Sequence, residues 1–191
     1  MKRGRVGKTL TRLVKEMRTT MYPYTAVNLK ESKANSIKDY LSIKDVYGLS
    51  HMMMLTNTEK ASYMRLAKMP RGPTVTFKIE KYCLSSDIFE HLSALNEVRR
   101  RSFKPLTRSF NHVPLVIMNG FNNPNIPDDQ KEPVNIASML IQSFFPPINL
   151  NEIQLKKCKR VVLFNLKLET PEGIENFDEG KKILNIKYNT Y

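Results

Sequence analysis

Near the start of the chain, the residues best suited to chemistry are those that could bind a phosphate group. Gly7, Lys8 and Thr9 match the end of a phosphate-binding loop, whose backbone amides and lysine hold phosphates. The complete pattern needs another glycine five residues before Gly7, and that position is Lys2. No strand is predicted ahead of the segment to aim it. The pattern therefore favours a flexible basic segment that leads into a helix, and nucleotide binding is not expected.

The other potentially reactive side chains are scattered. Cys83 and Cys158 lie far apart and outside any Cys-x-x-Cys pair, which predicts two buried thiols in a reducing compartment and no zinc site. No nucleophile stands at a local spacing from any histidine, although a Cys–His pair formed in space would not show in the sequence. The histidines are His51, His91 and His112. We expect no enzyme activity, no metal and no cofactor.

Basic residues are the more informative group. The chain of 191 residues has 31 Lys and Arg against 18 Asp and Glu, a formal charge of +13. The first 33 residues alone hold nine of these cations and two acids. Because each neutralised phosphate releases counterions, clusters of this size favour a polyanion such as RNA. The residues predicted to bind RNA are Lys2, Arg3, Arg5, Lys8, Arg12, Lys15, Arg18, Lys30, Lys33, Arg71, Arg99, Arg100, Arg101, Lys156, Lys157 and Lys159.

Several other partner classes are disfavoured by pattern. No apolar run reaches the roughly 18–20 residues that cross a bilayer, so no membrane partner is expected. No helix-turn-helix, zinc-finger or basic-zipper pattern is present, so DNA is not expected. The aromatic RNP pattern that reads single RNA bases is also missing. The basic residues therefore predict recognition of the RNA backbone and shape.

A helix over Lys8–Thr20 must position the first basic cluster. Its apolar residues recur with helical spacing on one face, namely Leu10, Leu13, Val14, Met17 and Met21. The cations fall on the opposite face with the same spacing, namely Arg5, Lys8, Arg12 and Lys15. The helix is therefore predicted to pack by one side and present phosphate-binding side chains from the other.

The remaining elements alternate between helices and strands. A second helix is predicted after a capping box of Ser36 and Asp39 and is ended by Gly48. Further helices are predicted from Ser85 or Ser86, with Ile88, Leu92, Leu95 and Val98 on its apolar face, and over Val134–Phe145. The predicted strands are Tyr24–Leu29, Ser50–Thr56, a hairpin of Ser62–Met69 and Thr74–Ile79, Val113–Asn119, Ile153–Leu155, Arg160–Leu168 and Lys181–Tyr188. The stretches Gly120–Pro133 and Glu169–Gly180 are predicted to be loops.

This order predicts a mixed α/β or α+β fold with helices packed on sheets. Strand, helix and hairpin recur before and after about residue 105, which suggests two structurally similar halves. We therefore expect one domain over 1–191 with approximate halves 1–105 and 106–191.

Four phrases carry a family resemblance. They are Met69–Phe77 (Met-Pro-Arg-Gly-Pro-Thr-Val-Thr-Phe), Pro114–Phe121, Phe144–Asn149 and Lys159–Phe164. In this order they resemble the Brix domain of eukaryotic ribosome-assembly factors. Further phrases resemble the Peter Pan (suppressor-of-sterile-four) subfamily, namely Arg3–Gly4, Leu13–Val14, Met17–Arg18, Met21–Ala26 and Asn35–Asp39. The chain departs from the pattern at Ile186–Tyr188, where the family usually has Arg-His-Tyr.

The resemblance implies a fold of two fused halves, each similar to an anticodon-binding domain. It implies a non-enzymatic ribosome-biogenesis factor that acts in the nucleolus on the large (60S) subunit precursor. The implied partners are pre-rRNA, other ribosome-assembly factors and ribosomal proteins, with no cofactor.

Two alternatives stay open at this point. The chain could be a protein-interaction scaffold in the pre-ribosome with little direct RNA contact, its charge serving solubility. A hydrolase or nucleotidase is the less favoured alternative. Arg71, in a stiff Pro-Arg-Gly-Pro turn, could hold RNA or a partner, and the segment Asn122–Glu132 could be a partner-binding loop.

Overall fold

The computed structural model describes residues 1–4, 6–32, 35–95, 113–148 and 160–167. These residues form two sheets with helices packed around them, which confirms the predicted mixed α/β fold class. The strands are β1 (Lys2–Arg3), β2 (His51–Asn57), β3 (Ser62–Lys68), β4 (Thr74–Ile79), β5 (Leu115–Asn119) and β6 (Val161–Asn165). The helices are α1 (Lys8–Thr20), α2 (Ile37–Ser42), α3 (Ser85–Leu95) and α4 (Asp128–Phe144).

The larger sheet has the strand order β1-β2-β3-β4. Strands β2, β3 and β4 are antiparallel, which confirms the predicted hairpin, and β1 runs parallel to β2. The turn between β3 and β4 is closed by Lys68, whose backbone N–H donates to the Pro73 carbonyl at 3.1 Å. The smaller sheet is a parallel pair of β5 and β6.

The two faces of the larger sheet differ in what covers them. Because successive strand residues point to opposite faces, Leu55, Leu66 and Phe77 lie on one face, and these residues are buried with α1 and α4 in the main core. We call this the inner face. Met52 and Met54 lie on the opposite, outer face, where Tyr40 of α2 covers one end of the sheet.

One hydrophobic core joins the early and late parts of the chain. Leu10 of α1 packs in the same buried cluster as Leu140 of α4 and Leu166 after β6. The described residues on both sides of residue 105 thus share a core. The division into two similar halves, 1–105 and 106–191, stays a prediction.

The predictions for α1 and for the start of α2 are confirmed, whereas α2 ends at Ser42 and not at Gly48. Helix α1 spans Lys8–Thr20 as predicted. At the start of α2, the Ser36 backbone N–H donates to the Asp39 carboxylate at 2.7 Å, and the Asp39 backbone N–H donates to Ser36 Oγ at 3.4 Å. Both halves of the predicted capping box are therefore formed.

The predicted strand Tyr24–Leu29 is wrong. This segment forms tight turns in which Val27 N donates to Thr25 O at 2.9 Å and Leu29 N to Ala26 O at 3.3 Å. Its alternating residues resemble a strand, yet its backbone groups bond locally. The Leu29 carbonyl accepts from Arg18 of α1, so the segment packs beside that helix.

The predicted boundary between loop and helix near Pro133 is also wrong. Helix α4 begins at Asp128 and contains Pro133, so only residues 120–127 connect it to β5. Proline indicates a loop because it lacks a backbone N–H donor. The acids of this segment instead stabilise the start of a helix, because the N-terminal end of the helix dipole is positive. Burial of Val134, Ala137 and Ile141 then stabilises the helix. The last five residues of the predicted partner-binding loop Asn122–Glu132 are consequently helical.

Two side-chain predictions need correction. Ile88, placed by its spacing on the buried face of α3, is 51% exposed. Cys83, predicted to be buried, is an exposed free thiol. Other predictions lie outside the described residues, namely Cys158, the strands Ile153–Leu155 and Lys181–Tyr188, and the loop Glu169–Gly180.

Candidate nucleic-acid interface

The exposed side of α1 carries three of the predicted RNA-binding cations. Lys8, Arg12 and Lys15 are all exposed, while Leu10 and Val14 on the opposite side are buried in the core. Helical geometry places the three cations along one face over roughly 10 Å, since each residue advances the helix by about 1.5 Å. We call these residues the α1 basic face. Spaced cations on one surface can neutralise several phosphates together.

Contacts from other elements fix the orientation of α1. The Glu16 carboxylate accepts hydrogen bonds from the Ser85 backbone N–H at 3.0 Å and from Ser85 Oγ at 2.8 Å, at the start of α3. The Tyr82 hydroxyl donates to Thr9 Oγ1 at 3.0 Å. A helix held on its flank as well as by its apolar side presents its basic face with little freedom to rotate.

The C-terminal end of α1 is held by a buried arginine. Arg160, which follows Lys156, Lys157 and Lys159 in the sequence, is 2% exposed. Its guanidinium donates to the Thr20 carbonyl at 2.6 Å and to the Tyr22 carbonyl at 2.8 Å. These carbonyls lie at the negative end of the helix dipole, which favours a cation. Arg160 therefore positions α1, and its guanidinium does not face the surface.

Arg18 is also engaged within the protein. Its guanidinium forms an ion pair with Glu31 and donates to the Leu29 carbonyl at 3.2 Å. The Glu31 carboxylate in turn accepts from the Lys2 backbone N–H at 2.9 Å. The carboxylate thus joins α1, the turn segment and β1. Of the predicted RNA-binding residues, Arg18 is the one whose charge is already paired within the described part of the chain.

The remaining predicted residues do not form one surface. Lys2, Arg3, Lys30 and Arg71 are exposed. Arg3 lies beside Thr56 at one end of the sheet, whereas Arg71 follows the end of β3 that pairs with His51. The two ends are five residue steps apart along β2, about 16 Å. The other predicted residues lie outside the described part of the chain, namely Arg5, Lys33, Arg99, Arg100, Arg101, Lys156, Lys157 and Lys159.

A second basic surface was missed in the sequence. On the outer face of the larger sheet, Arg3, Thr56, Tyr63 and Lys78 are direct partners across β1, β2, β3 and β4. Arg65 lies on the same face, two residues after Tyr63. The alternation of residues in β3 could have predicted part of this surface. Tyr63 and Arg65 alternate with the core residues Met64 and Leu66, so they lie on the opposite face. Their alignment with Arg3 depends on the parallel pairing of β1, which the sequence did not indicate.

The structure places a serine hydroxyl at each ring nitrogen of His51, with Ser50 Oγ 2.9 Å from Nδ1. His51 Nε2 lies 2.8 Å from Ser143 Oγ, and the imidazole packs against Phe144 at 4.7 Å between ring centroids. The Ser143 hydroxyl donates its hydrogen to the Leu140 carbonyl at 2.8 Å, so the imidazole cannot accept it. Burial, and next the charge of Lys68, lowers the pKa of His51. These contacts agree with a structural histidine that joins β2 to α4.

The glycine segment before α1 is also unsuited to cradling phosphates. A short strand, β1, does precede it, which corrects the prediction that none would. Four residues, 4–7, connect β1 to α1, fewer than a complete phosphate-binding loop contains. Among the described residues, no group of three or more His, Cys, Asp or Glu could hold a metal. None of the described helices is long and apolar enough to cross a membrane.

Comparison with known proteins gives the family. The Brix domain matches residues 4–187. The chain belongs to the Brix domain family. It is 34% identical to a Peter Pan-like protein of Arabidopsis thaliana over 168 residues, which are 88% of this chain and 45% of that protein. It is 34% identical to the ribosome biogenesis protein SSF2 of Saccharomyces cerevisiae over 179 residues, 88% of this chain and 38% of that protein.

A third relative is the suppressor of SWI4 1 homolog of Mus musculus, 32% identical over 170 residues, 89% of this chain and 33% of that protein. These names confirm the predicted resemblance to the Peter Pan subfamily. This chain spans less than half the length of each of these relatives.

Proposed function

We propose that this Brix domain acts in ribosome biogenesis by binding pre-rRNA of the large (60S) subunit precursor, with the α1 basic face as a principal contact. The observation that carries the proposal is the α1 basic face itself. Lys8, Arg12 and Lys15 are exposed together on a helix that the core, Glu16 and Arg160 hold in place. Because the helix is already fixed, less conformational entropy is lost when its cations bind phosphates, which favours affinity for an RNA backbone.

The family supports the biological setting of the proposal. A relative in Saccharomyces cerevisiae is named a ribosome biogenesis protein, and the net charge of +13 suits an RNA partner. The place of action we propose is the nucleolus. The partners we propose besides pre-rRNA are assembly factors and ribosomal proteins. We propose no catalytic step. His51, one of the histidines considered as a base, makes structural contacts that join β2 to α4.

The test is a salt titration of RNA binding. The triple variant Lys8→Ala, Arg12→Ala, Lys15→Ala removes the α1 basic face without touching the core. Its affinity for a hairpin fragment of large-subunit rRNA should fall, and the slope of log affinity against log salt should decrease by about 2–3, since each phosphate contact contributes about 0.7–0.9. The matched control is Lys38→Ala, Lys60→Ala, Lys167→Ala, which removes the same charge from exposed positions elsewhere. Equal slopes for the two triple variants would reject the proposal.

A scaffold role is the second candidate, favoured by exposed apolar side chains. Val46 is 82% exposed and Tyr47 is 70% exposed, both in the turn after α2. Adjacent exposed apolar residues are typical of partner contacts. Purification of pre-ribosomes from cells separates the two functions. If the α1 triple variant still co-purifies with the large-subunit precursor while Val46→Ser with Tyr47→Ser does not, the scaffold role is favoured.

A further inference from the structure

The outer face of the larger sheet carries a row of side chains that the α1 basic face does not include. Arg3, Thr56, Tyr63 and Lys78 are direct neighbours across the four strands. With strands about 4.8 Å apart, this row is about 14 Å wide. Arg3 and Lys78 are exposed at its two edges, and Tyr63 is half-buried between them. An aromatic ring therefore stands between two cations.

The strand residues of this face carry charge of one sign. The strand residues that share the face are Arg3, Met52, Met54, Thr56, Tyr63, Arg65, Ala67, Thr74, Thr76 and Lys78, and none of them is acidic. Tyr40 and its neighbours cover Met52 and Met54 at one end. The basic row lies at the other end of the sheet, beyond that cluster.

Arg65 adds a third cation to the outer face. It lies beside Tyr63 on the outer face, paired with Met54 and Thr76. Its side chain is half-buried, and the planar donor geometry of arginine matches phosphate oxygens.

We propose that the outer face of the larger sheet binds a single strand of RNA, with Tyr63 stacking on a base and Arg3, Arg65 and Lys78 contacting the flanking phosphates. The proposal rests on the proposed RNA-binding function and adds a second surface with a different ligand geometry. A base can reach an aromatic ring on a flat sheet only when it is unpaired, which selects a single strand over a duplex. Stacking tolerates any base, so no sequence preference is required.

The two RNA surfaces lie on opposite sides of the sheet. The apolar side of α1 packs in the core that lines the inner face, so the α1 basic face is directed away from the sheet on that side. The Tyr63 row lies on the outer face. One RNA segment therefore cannot lie flat on both. The arrangement fits a structured segment on α1 together with an unpaired segment on the sheet.

The test compares two RNA probes on the same chain, a 12-nucleotide oligouridylate and an rRNA hairpin that has no unpaired tail and is closed by a short loop of stacked bases. Tyr63→Ala should weaken oligouridylate binding about tenfold, because alanine removes the stacking surface, while Tyr63→Phe should stay within twofold of the parent. Lys78→Gln should weaken the same probe, and the matched control Lys38→Gln on α2 should not. Hairpin binding should be unchanged by Tyr63→Ala. Ultraviolet crosslinking to oligouridylate should recover the peptide that contains Tyr63.

The outcomes separate this inference from the proposed function. If Tyr63→Ala and Lys78→Gln both bind oligouridylate like the parent, the sheet surface is rejected, whatever the α1 triple variant does. If the α1 triple variant binds the hairpin normally while Tyr63→Ala loses oligouridylate, the α1 proposal fails and the sheet surface stands. Thermal unfolding would show whether Tyr63→Ala is misfolded. In that case Tyr63→Phe and the exposed Lys78→Gln still test the sheet surface. A polyglutamate peptide that displaces oligouridylate from the parent and from Tyr63→Ala equally well would indicate an acidic protein ligand and overturn the proposal.

Discussion

The guanidinium of Arg160 donates a 2.6 Å hydrogen bond to the backbone carbonyl of Thr20, across 140 residues of sequence. Arg160 directly precedes β6, and Thr20 is the last residue of α1. The contact satisfies a carbonyl at the end of the helix, where intrahelical donors run out, and places a cation at the negative end of its dipole. The same contact ties the helix that carries the α1 basic face to the later part of the chain.

Replacement of Arg160 should therefore destabilise the whole fold. We expect Arg160→Met to lower the free energy of unfolding by about 2–4 kcal/mol, because the buried Thr20 carbonyl and the part-buried Tyr22 carbonyl lose a charged donor. Arg160→Lys should recover only part of this loss, since an ammonium group cannot reproduce the fork of donors. Urea unfolding measures the effect, with the exposed Lys167→Met as the control. Unfolding of Arg160→Met at the parent's midpoint would contradict the assignment.

The pair of Arg18 and Glu31 predicts a strong energetic coupling. Glu31→Gln leaves the Arg18 guanidinium half-buried without its carboxylate, and we expect a loss of about 2–4 kcal/mol. Arg18→Met together with Glu31→Gln should cost less than the sum of the single changes, because neither charge is then left unpaired. A double-mutant cycle by urea unfolding gives the coupling.

The pairing with Glu31 also predicts that Arg18 stabilises the fold and does not bind RNA. Arg18→Met should reduce stability while leaving the salt dependence of hairpin RNA binding as in the parent, since its charge is directed to Glu31. A decrease of about one in that slope would instead show that Arg18 contacts an RNA phosphate.

His51 predicts a loss of stability in mild acid. Burial, and next the Lys68 charge, lowers the pKa of the folded imidazole below its ordinary value of 6.5. Protonation therefore favours the unfolded chain. The stabilising contribution is complete above pH 6.5 and is lost as pH falls through the folded pKa. The parent should lose more stability than His51→Gln between pH 7.5 and pH 5.

Two further measurements check the cause of this pH dependence. Imidazole titration by NMR should give a pKa below 6.5, and Lys68→Met should raise it by removing a nearby cation. An unchanged difference between the parent and His51→Gln across this pH range would contradict the assignment.

Gly120 should tolerate substitution much less well than Gly48. Both have positive φ, +80° and +60°, but a Cβ at Gly120 would lie 2.4 Å from the Leu166 carbonyl oxygen, whereas a Cβ at Gly48 meets no atom within 4 Å. Gly48→Ala should cost about 1–2 kcal/mol from backbone strain alone. Gly120→Ala should cost about 3 kcal/mol or more, because the connection from β5 must also move away from Leu166. Thermal unfolding of the two variants makes the comparison, and equal losses would show that the close approach is relieved without strain.

Much of the fold followed from short-range patterns. The spacing of Leu10, Leu13 and Val14 predicted α1 to the residue, and Ser36 with Asp39 predicted the start of α2. These signals are readable because a helix turn or cap involves residues three or four apart. The same logic failed at Tyr24–Leu29 and at Pro133, where alternation and a proline were outweighed by packing against α1 and the core.

The sequence by itself determined that this chain is basic, that its first helix has an apolar and a basic side, and that a hairpin follows. It also carried the phrases that identify the Brix family. Only the tertiary structure decided which cations are available to a ligand. Arg18 was predicted from the sequence to bind RNA, yet its guanidinium pairs with Glu31, and the guanidinium of Arg160 is engaged by carbonyls at the end of α1. Arg3, Tyr63 and Lys78 read as unrelated, yet strand pairing places them in one row. The physical reason is that charge and periodicity are properties of neighbouring residues, whereas the partner of a charge is set by contacts between segments far apart in the chain.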